Sequence, residues 1–389
     1  MSEQQPELSI IIVSYNSWEF LDLTLHSVEK ALEGIPAEVI VVDNASSVDV
    51  VANIGQSYPS VITIANKQNL GFSKANNIGL KMAKGRIAIL VNPDIIVAED
   101  TFKKVLNYFN EYPDVAGLGV RMLNGEGQYL RESKRGLPTP AVSLYKMLGL
   151  TSLFPRSGRF ARYYHGNLDE KQNHKIDILA GAFLAQKRDS EGCFELLDEQ
   201  YFMYGEDIDL SYCLSRKYGA NHYLGTNPII HFKGKSTITN AWIYKCFYQS
   251  MWIFYKKYFK KKTFFLVNGL IWLAINGIQS LKIAGLTLKK SNNVIPKSKH
   301  RNVLLVSSGS NTKASIQKLY QEADIKVEKE VITVDQFDLI VFDLATTKSK
   351  YIINVLEKFG TAPYAYLASN GKYLVENSLA GRKGQVLHL

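Results

Sequence analysis

Three polar clusters, each directly behind a run of aliphatic residues, hold side chains suited to chemistry: Ser14-Tyr15-Asn16, Asp43-Asn44-Ala45-Ser46 and Asn92-Pro93-Asp94. The preceding runs, such as Ile87-Ala-Ile-Leu-Val91, have the length and composition of buried strands. In a parallel α/β sheet the strand carboxyl ends gather along one edge, and ligands bind there. One carboxylate beside a tyrosine and several amides suits a metal-bound, phosphate-bearing nucleotide. A pair of acids, Glu206-Asp207, opens a later segment of helical pattern. Taken alone, that pair is most simply a set of capping acids, because the helix dipole and free amides favour carboxylates there.

The elements that would position these residues alternate over residues 8 to about 120. Strands are expected at Leu8–Val13, Glu38–Val42, Val61–Ala65, Ile87–Val91 and Val115–Val120. Helical spacing links Leu21, Leu25, Val28 and Leu32, with Ser17 as a candidate cap, and Thr101–Tyr112 reads as another helix. Such alternation argues for a mostly parallel sheet. Residues 121–175 lose this regularity and mix Gly and Pro with basic and aromatic residues, the character of a binding loop. Order returns at Ile176–Gln186, and Glu206–Arg216 reads as a helix. Residues 301–389 restart the alternation: strand Asn302–Ser307, helix Ala314–Ala323, strand Phe337–Phe342, helix Ser349–Phe359. No P-loop lysine pattern follows the first of these strands. Asp338 and Asp343 read as strand-flanking residues, and the role expected for this unit is docking or dimerisation.

With 389 residues, 46% of them hydrophobic and 21% charged, the chain is globular and long enough for two domains. Its polar, acidic start lacks a signal-peptide layout. Cys193, Cys213 and Cys246 form neither a disulfide framework nor a zinc pattern, so a reducing compartment is expected. The net charge of +10 is unevenly spread: Leu210 to Gln321 contains 18 Lys or Arg and no Asp or Glu. A field of that kind concerns partners, not fold. Within it, Trp242–Lys262 interleaves aromatic residues with six lysines, and Thr263–Leu281 carries no charge. Asn268, Asn276, Gln279 and Lys282 fall on one side of a helix. A polar stripe with flanking lysines describes a helix lying in a membrane interface. The alternatives are a true span, for which Thr263–Leu281 is just long enough, and a soluble helical pair whose aromatics pack on the N-terminal domain. The long apolar run argues against a nucleic-acid patch.

Taken in order, Ser9-Ile-Ile-Ile-Val-Ser-Tyr-Asn16, Val41-Val-Asp-Asn-Ala-Ser46, Asn69-Leu-Gly-Phe-Ser-Lys-Ala-Asn-Asn-Ile-Gly79, Asn92-Pro-Asp94, Gly181-Ala-Phe183, Tyr204-Gly-Glu-Asp-Ile-Asp-Leu210 and His231-Phe-Lys-Gly-Lys-Ser236 resemble a family 2 glycosyltransferase of the GT-A fold, within the bacterial rhamnosyltransferase-like group. The resemblance covers about residues 8–240. It implies a nucleotide-sugar donor, Mn²⁺ or Mg²⁺, and inversion at the anomeric carbon. On that resemblance Ser14, Tyr15, Asn16, Asp43, Asn44, Asn69, Gly71, Asn76, Asn77, Asn92 and Asp94 would form the donor site. Tyr15 would lie near the base, with Asp43 or Asn44 bonding base or ribose. Many relatives carry two acids around one residue in the third loop. Here Asn92 takes the first position, which leaves Asp94 as the expected metal ligand, with His231 as a second. Asp207 is the expected catalytic base with Glu206 beside it, and Asp209 is expected to be structural. Gly181 and Ala182 are either tight packing or the floor of the acceptor site.

The expected architecture is α/β: a GT-A nucleotide-sugar-binding domain with a mostly parallel sheet (1–240), amphipathic membrane-associated helices (241–290), a linker (291–300) and a small α/β domain (301–389). The expected activity is transfer of a sugar from a dTDP- or UDP-sugar, rhamnose being suggested by the subgroup, to a lipid-linked saccharide acceptor. It would take place at the cytoplasmic face of the bacterial inner membrane, on an anionic surface. The alternatives are an N-acetylhexosaminyl- or galactosyltransferase using a UDP-sugar, and a non-catalytic assembly subunit retaining the fold.

Overall fold

The computed structural model describes residues 5–233, 241–262, 265–288, 300–309, 312–360, 362–376 and 385–389. Most of the expected linker and the end of the His231–Ser236 motif lie outside these residues. The N-terminal part runs β1 (Leu8–Ser14), α1 (Trp18–Ala31), β2 (Ala37–Asp43), α2 (Val50–Ser57), β3 (Ile62–Ala65), α3 (Phe72–Met82), β4 (Ile87–Val91), β5 (Ile95–Ile96), α4 (Thr101–Glu111) and β6 (Val115–Leu123). It continues with α5 (Pro140–Met147), α6 (Leu150–Leu153), β7 (His174–Ile176), β8 (Phe183–Lys187), α7 (Glu206–Lys217) and β9 (Ala220–His231). Residues 121–175 therefore contain two short α-helices and two single 3-10 turns, Arg131–Ser133 and Arg162–Tyr164, within the irregular stretch.

Eight of these strands follow the order β3-β2-β1-β4-β8-β6-β9-β5, and β7 pairs with β9. The stretch β3-β2-β1-β4 is parallel, and β8 then enters antiparallel between β4 and β6. Every residue of β1 and β4 is buried, as strands covered on both faces require. Leu21, Leu25 and Val28 set one flank of α1 against the sheet core. Ser17 stands at the head of α1, but its hydroxyl meets Ser14 Oγ at 3.2 Å and caps no backbone amide.

Two helices follow, α8 (Ala241–Tyr258) and α9 (Phe265–Leu288). The C-terminal unit is β10 (Asn302–Val306), α10 (Thr312–Leu319), β11 (Asp324–Glu328), β12 (Leu339–Asp343), α11 (Ser349–Phe359), β13 (Tyr364–Leu367), β14 (Tyr373–Glu376) and β15 (Gln385–His388). Its sheet has the order β11-β10-β12-β13-β14-β15, parallel through β13. As expected, Asp338 and Asp343 serve backbone and hydroxyl groups at strand ends.

The C-terminal unit docks on the second flank of α1. Phe20, Leu23, Ile96, Ile230 and Phe232 share one core with Leu304, Val306, Phe342, Leu344, Ile353 and Tyr366. Fully burying one such side chain contributes about 1.5–3 kcal/mol. Buried Asp22 accepts hydrogen bonds from Tyr373 Oη at 2.5 Å, Tyr58 Oη at 2.7 Å and Asn370 Nδ2 at 3.0 Å. The Glu99 carboxylate receives the Ser349 and Lys350 amides that open α11, at 2.7 and 2.9 Å.

Candidate active site

At the donor edge, Tyr15 follows β1 with its side chain 45% exposed. Asn16 takes a left-handed backbone (φ 51°) and is held there by Ser46 and Ser47: Asn16 N donates to Ser46 Oγ at 2.9 Å, and Ser47 N donates to Asn16 Oδ1 at 2.7 Å. Asp43 closes a turn by accepting from the Ser46 hydroxyl at 2.5 Å. The loops after β1 and β2 are thus one hydrogen-bonded unit that presents the Tyr15 ring.

Several residues expected to contact the donor are committed elsewhere. Ser14 is fully buried and its hydroxyl faces Ser17. Asn44 donates to Asn69 Oδ1 and Gly71 O and accepts from Asn66 and the Leu70 amide, so both ends of its amide are occupied. Asn76 donates to Phe72 O. Asn77 exchanges hydrogen bonds with the Leu197 backbone at 2.9 Å each. These amides pin the α3 entry and the 197–202 segment in place of lining a cavity. Gly71 (φ 85°) is likewise a packing requirement: a Cβ there would lie 2.6 Å from Phe202 O.

Asn92, Asp94 and His231 do come together. β5 pairs antiparallel with β9 so that Ile95 lies opposite His231, and Phe232 N donates to Asp94 O at 2.9 Å. This register sets His231 Nε2 3.2 Å from Asp94 Oδ1 and 3.5 Å from Asn92 Nδ2. Asp94 Oδ1, Asn92 Oδ1 and His231 Nδ1 are buried and make no hydrogen bond. Unpaired buried acceptors call for an explanation such as an ion. A separation near 3 Å is what two neighbouring ligands of one octahedral cation show at ~2.1 Å each. Asp94 and His231 therefore fit a divalent cation as a pair. Among the described residues no group of three or more His, Cys, Asp or Glu side chains gathers at one point. Beside them Glu132 pairs with Lys233. Burial pushes the Glu132 carboxyl up, but Lys233, aided by His231, holds it below the usual carboxylate range.

The second group of acids lies across the short 180–182 segment, where Asn92 N donates to Ala182 O at 2.9 Å and Gly181 N donates to Asp207 Oδ2 at 3.1 Å. Two left-handed residues, Tyr204 (φ 70°) and Gly205 (φ 82°), turn the chain into α7. A non-glycine residue in that region is uncommon and tends to mark functional sites. Asp207 Oδ2 also accepts from Arg135 at 2.5 Å, and the same guanidinium donates to Leu179 O at 2.6 Å. A Cβ on Gly181 would sit 3.0 Å from that of Asp207, so this glycine gives the acid its room. Glu206 is buried, its Oε2 makes no hydrogen bond, and burial followed by the Asp207 charge raises its carboxyl pKa. Asp209 is structural as expected, bonded to Tyr258 Oη at 2.8 Å and Lys257 Nζ at 2.9 Å. Arg135 escaped the sequence reading. It lies in the irregular stretch, and its partner is far along the chain, so no spacing marks it.

An acid–imidazole pair and an arginine-held acid thus lie at the carboxyl edge of the parallel strands. Residues 9–193 match the family model Glycosyl transferase family 2. The N-acetylglucosaminyl-diphospho-decaprenol L-rhamnosyltransferase of Mycobacterium tuberculosis is 25% identical over 242 residues, 59% of this chain and 77% of that protein. The minor teichoic acid biosynthesis protein GgaB of Bacillus subtilis is 36% identical over 110 residues, 27% of this chain and only 12% of that protein. Residues 1–349 of S. aureus TarS superpose with a TM-score of 0.41 at 17% identity, covering 63% of this chain and 64% of that one. Residues 9–193 thus carry a likeness to glycosyltransferase family 2, and the rhamnosyltransferase is among the proteins this chain is similar to.

Proposed function

We propose that the protein transfers a sugar, rhamnose in the first instance, from a nucleotide-sugar to a lipid-linked saccharide, with inversion and with a divalent metal. The observation that carries this reading is the pairing of Asp94 and His231, with the buried Asp94 Oδ1 and Asn92 Oδ1 making no hydrogen bond, beside the Arg135-held Asp207. Likeness to a rhamnosyltransferase named for a decaprenyl-linked substrate supports the donor and acceptor class.

The acceptor hydroxyl attacks the anomeric carbon, the bond from that carbon to the diphosphate oxygen breaks, and the nucleoside diphosphate leaves. The hydroxyl proton passes to Asp207, whose orientation is fixed by Arg135 and Gly181 N. General-base help of this kind is worth roughly 10²- to 10⁴-fold. Asp94 and His231 would hold Mn²⁺ or Mg²⁺, which when bound supplies Lewis-acid stabilisation of charge on the departing diphosphate. Tyr15 offers an exposed ring for the base. Acting on a lipid-linked acceptor places the protein at a membrane, the cytoplasmic face of the bacterial inner membrane on this reading. Peripheral attachment is part of this reading; among the described residues no helix is long and apolar enough to cross a membrane.

The test is a thermal-shift panel of nucleotide-sugars with and without Mn²⁺, followed by product analysis on a prenyl-diphosphate-linked saccharide. Stabilisation by dTDP-rhamnose that needs Mn²⁺ is expected, since a ligand that binds the folded state raises its stability. Stabilisation by UDP-sugars alone would replace rhamnose with an N-acetylhexosamine or galactose. No response to any donor would leave a non-catalytic assembly subunit.

A further inference from the structure

The helix α9 carries its polarity on the wrong side for a helix in water. Asn268 accepts a hydrogen bond from Tyr255 Oη of α8 at 2.5 Å, and Ile275 is buried on that same side. Asn276 satisfies its amide on Trp272 O of its own helix at 2.8 Å. The opposite side presents Leu270, Leu273 and Leu281, which are 66%, 60% and 74% exposed. With 3.6 residues per turn these three share one face with Gly277 and Ala284. Asn268 of the polar stripe read from the sequence thus faces the hairpin partner, Lys282 at the other end of the stripe is exposed, and the leucines are left outward.

The charges around this face point to one occupant. Lys245, Lys256, Lys260, Lys261 and Lys282 are exposed, and none of them is ion-paired among the described residues. Lys257, by contrast, is spent on Asp198 and Asp209. A second copy meeting α9 face to face would set these lysines against each other, whereas anionic lipid would neutralise them. We propose that the outward face of α9 enters the headgroup boundary of an anionic bilayer, with the lysines of the α8–α9 hairpin on its phosphates. α8 ties this face to the site: Ser250 Oγ donates to Met203 O at 3.2 Å, Tyr258 bonds Asp209, and Phe247 meets Tyr204 edge-on at 5.9 Å. Helices in contact lie ~8–10 Å apart, so the start of α7 is held at a fixed, short height above the lipid. The membrane location rests in part on the proposed function, but the surface is read from α9 itself.

Vesicle flotation of the full chain, without donor or acceptor, tests this separately from activity. The protein should float with phosphatidylcholine–phosphatidylglycerol vesicles and be released in part by salt, which screens the lysines but not the apolar contact. Leu270→Glu with Leu273→Glu and Leu281→Glu should cut flotation at least tenfold while the melting temperature and nucleotide-induced stabilisation stay unchanged. Leu273→Glu alone, a milder change, should weaken it severalfold. Lys260→Glu with Lys261→Glu should remove the preference for anionic over neutral vesicles. Three results would overturn the proposal: a parent protein that stays unbound with both vesicle types, glutamate variants that float like the parent, or a parent dimer that the glutamate variants dissociate and that does not float.

Discussion

Asp94 and His231 share one task, so either substitution should give the same result. Asp94→Ala or His231→Ala should abolish the Mn²⁺-dependent tightening of a nucleoside diphosphate in calorimetry while metal-free binding at Tyr15 persists; undiminished tightening in either would take that residue out of the metal site. Asp207→Asn keeps shape and loses basicity, so turnover should fall about 10²- to 10⁴-fold with donor affinity retained. Arg135→Lys should also lower turnover, because an ammonium cannot hold both Leu179 O and Asp207 with the planar fork of a guanidinium. Glu206 makes a thermodynamic prediction. Burial raises its pKa in the fold, so between the ordinary carboxylate range and that raised value the folded state holds more protons than the unfolded one. Stability therefore falls as pH rises through that window and is flat above it. Glu206→Gln should melt near the parent in acid and about 2 °C or more higher at alkaline pH; an equal difference at every pH would argue against a buried, neutral Glu206. At this scale the sequence exposed which residues are polar at strand ends but not which are already spent. Asn44 and Asn77 look like ligand-binding amides until their partners, Asn69 and the Leu197 backbone, are seen.

Elements were legible in proportion to how cleanly burial patterns them. β4 is an uninterrupted apolar run, β1 and β6 are mainly apolar with Ser9 and Arg121 within them, and the structure places all three where the sequence does, β6 running on to Leu123. β9 was unreadable because Asn221, His222, Gly225, Thr226, Asn227 and Pro228 break its pattern, yet it carries His231. Its polar residues are absorbed locally: Asn221 bonds Asp177 O and Ser211 O, and Asn227 bonds Thr101 O. Turns between elements are tight enough to test. Gly71→Ala would put a Cβ against Phe202 O on a left-handed backbone. It should cost about 1–3 kcal/mol, read as an earlier denaturant midpoint with unchanged slope. A midpoint equal to that of the parent would mean the α3 entry can shift away from Phe202.

The whole molecule is less divisible than its two sheets suggest. The core shared by α1, β9 and β13 and the Asp22 cluster bind the units together, so heating should give one calorimetric transition. Asp22→Ala strands Tyr373 and Asn370 of the C-terminal unit and Tyr58 of the N-terminal one, and should lower that single transition without splitting it. Two resolved transitions in the parent would show that the units melt independently. The shared core also has a consequence for how the chain is made. Synthesis runs from the N-terminus, so Asp94, Asp207 and His231 leave the ribosome well before Tyr366 exists. Until then Phe232, which follows His231 directly and meets the Tyr366 ring at 4.9 Å, lacks that partner. Phe20, Leu23 and Ile230 wait uncovered with it. Nascent chains stalled before residue 300 should bind a dye for exposed apolar surface and lack Mn²⁺-dependent nucleotide binding, and both properties should reverse once the chain extends past Glu376. A catalytic site encoded in the first part of the message would then be switched on by the last part.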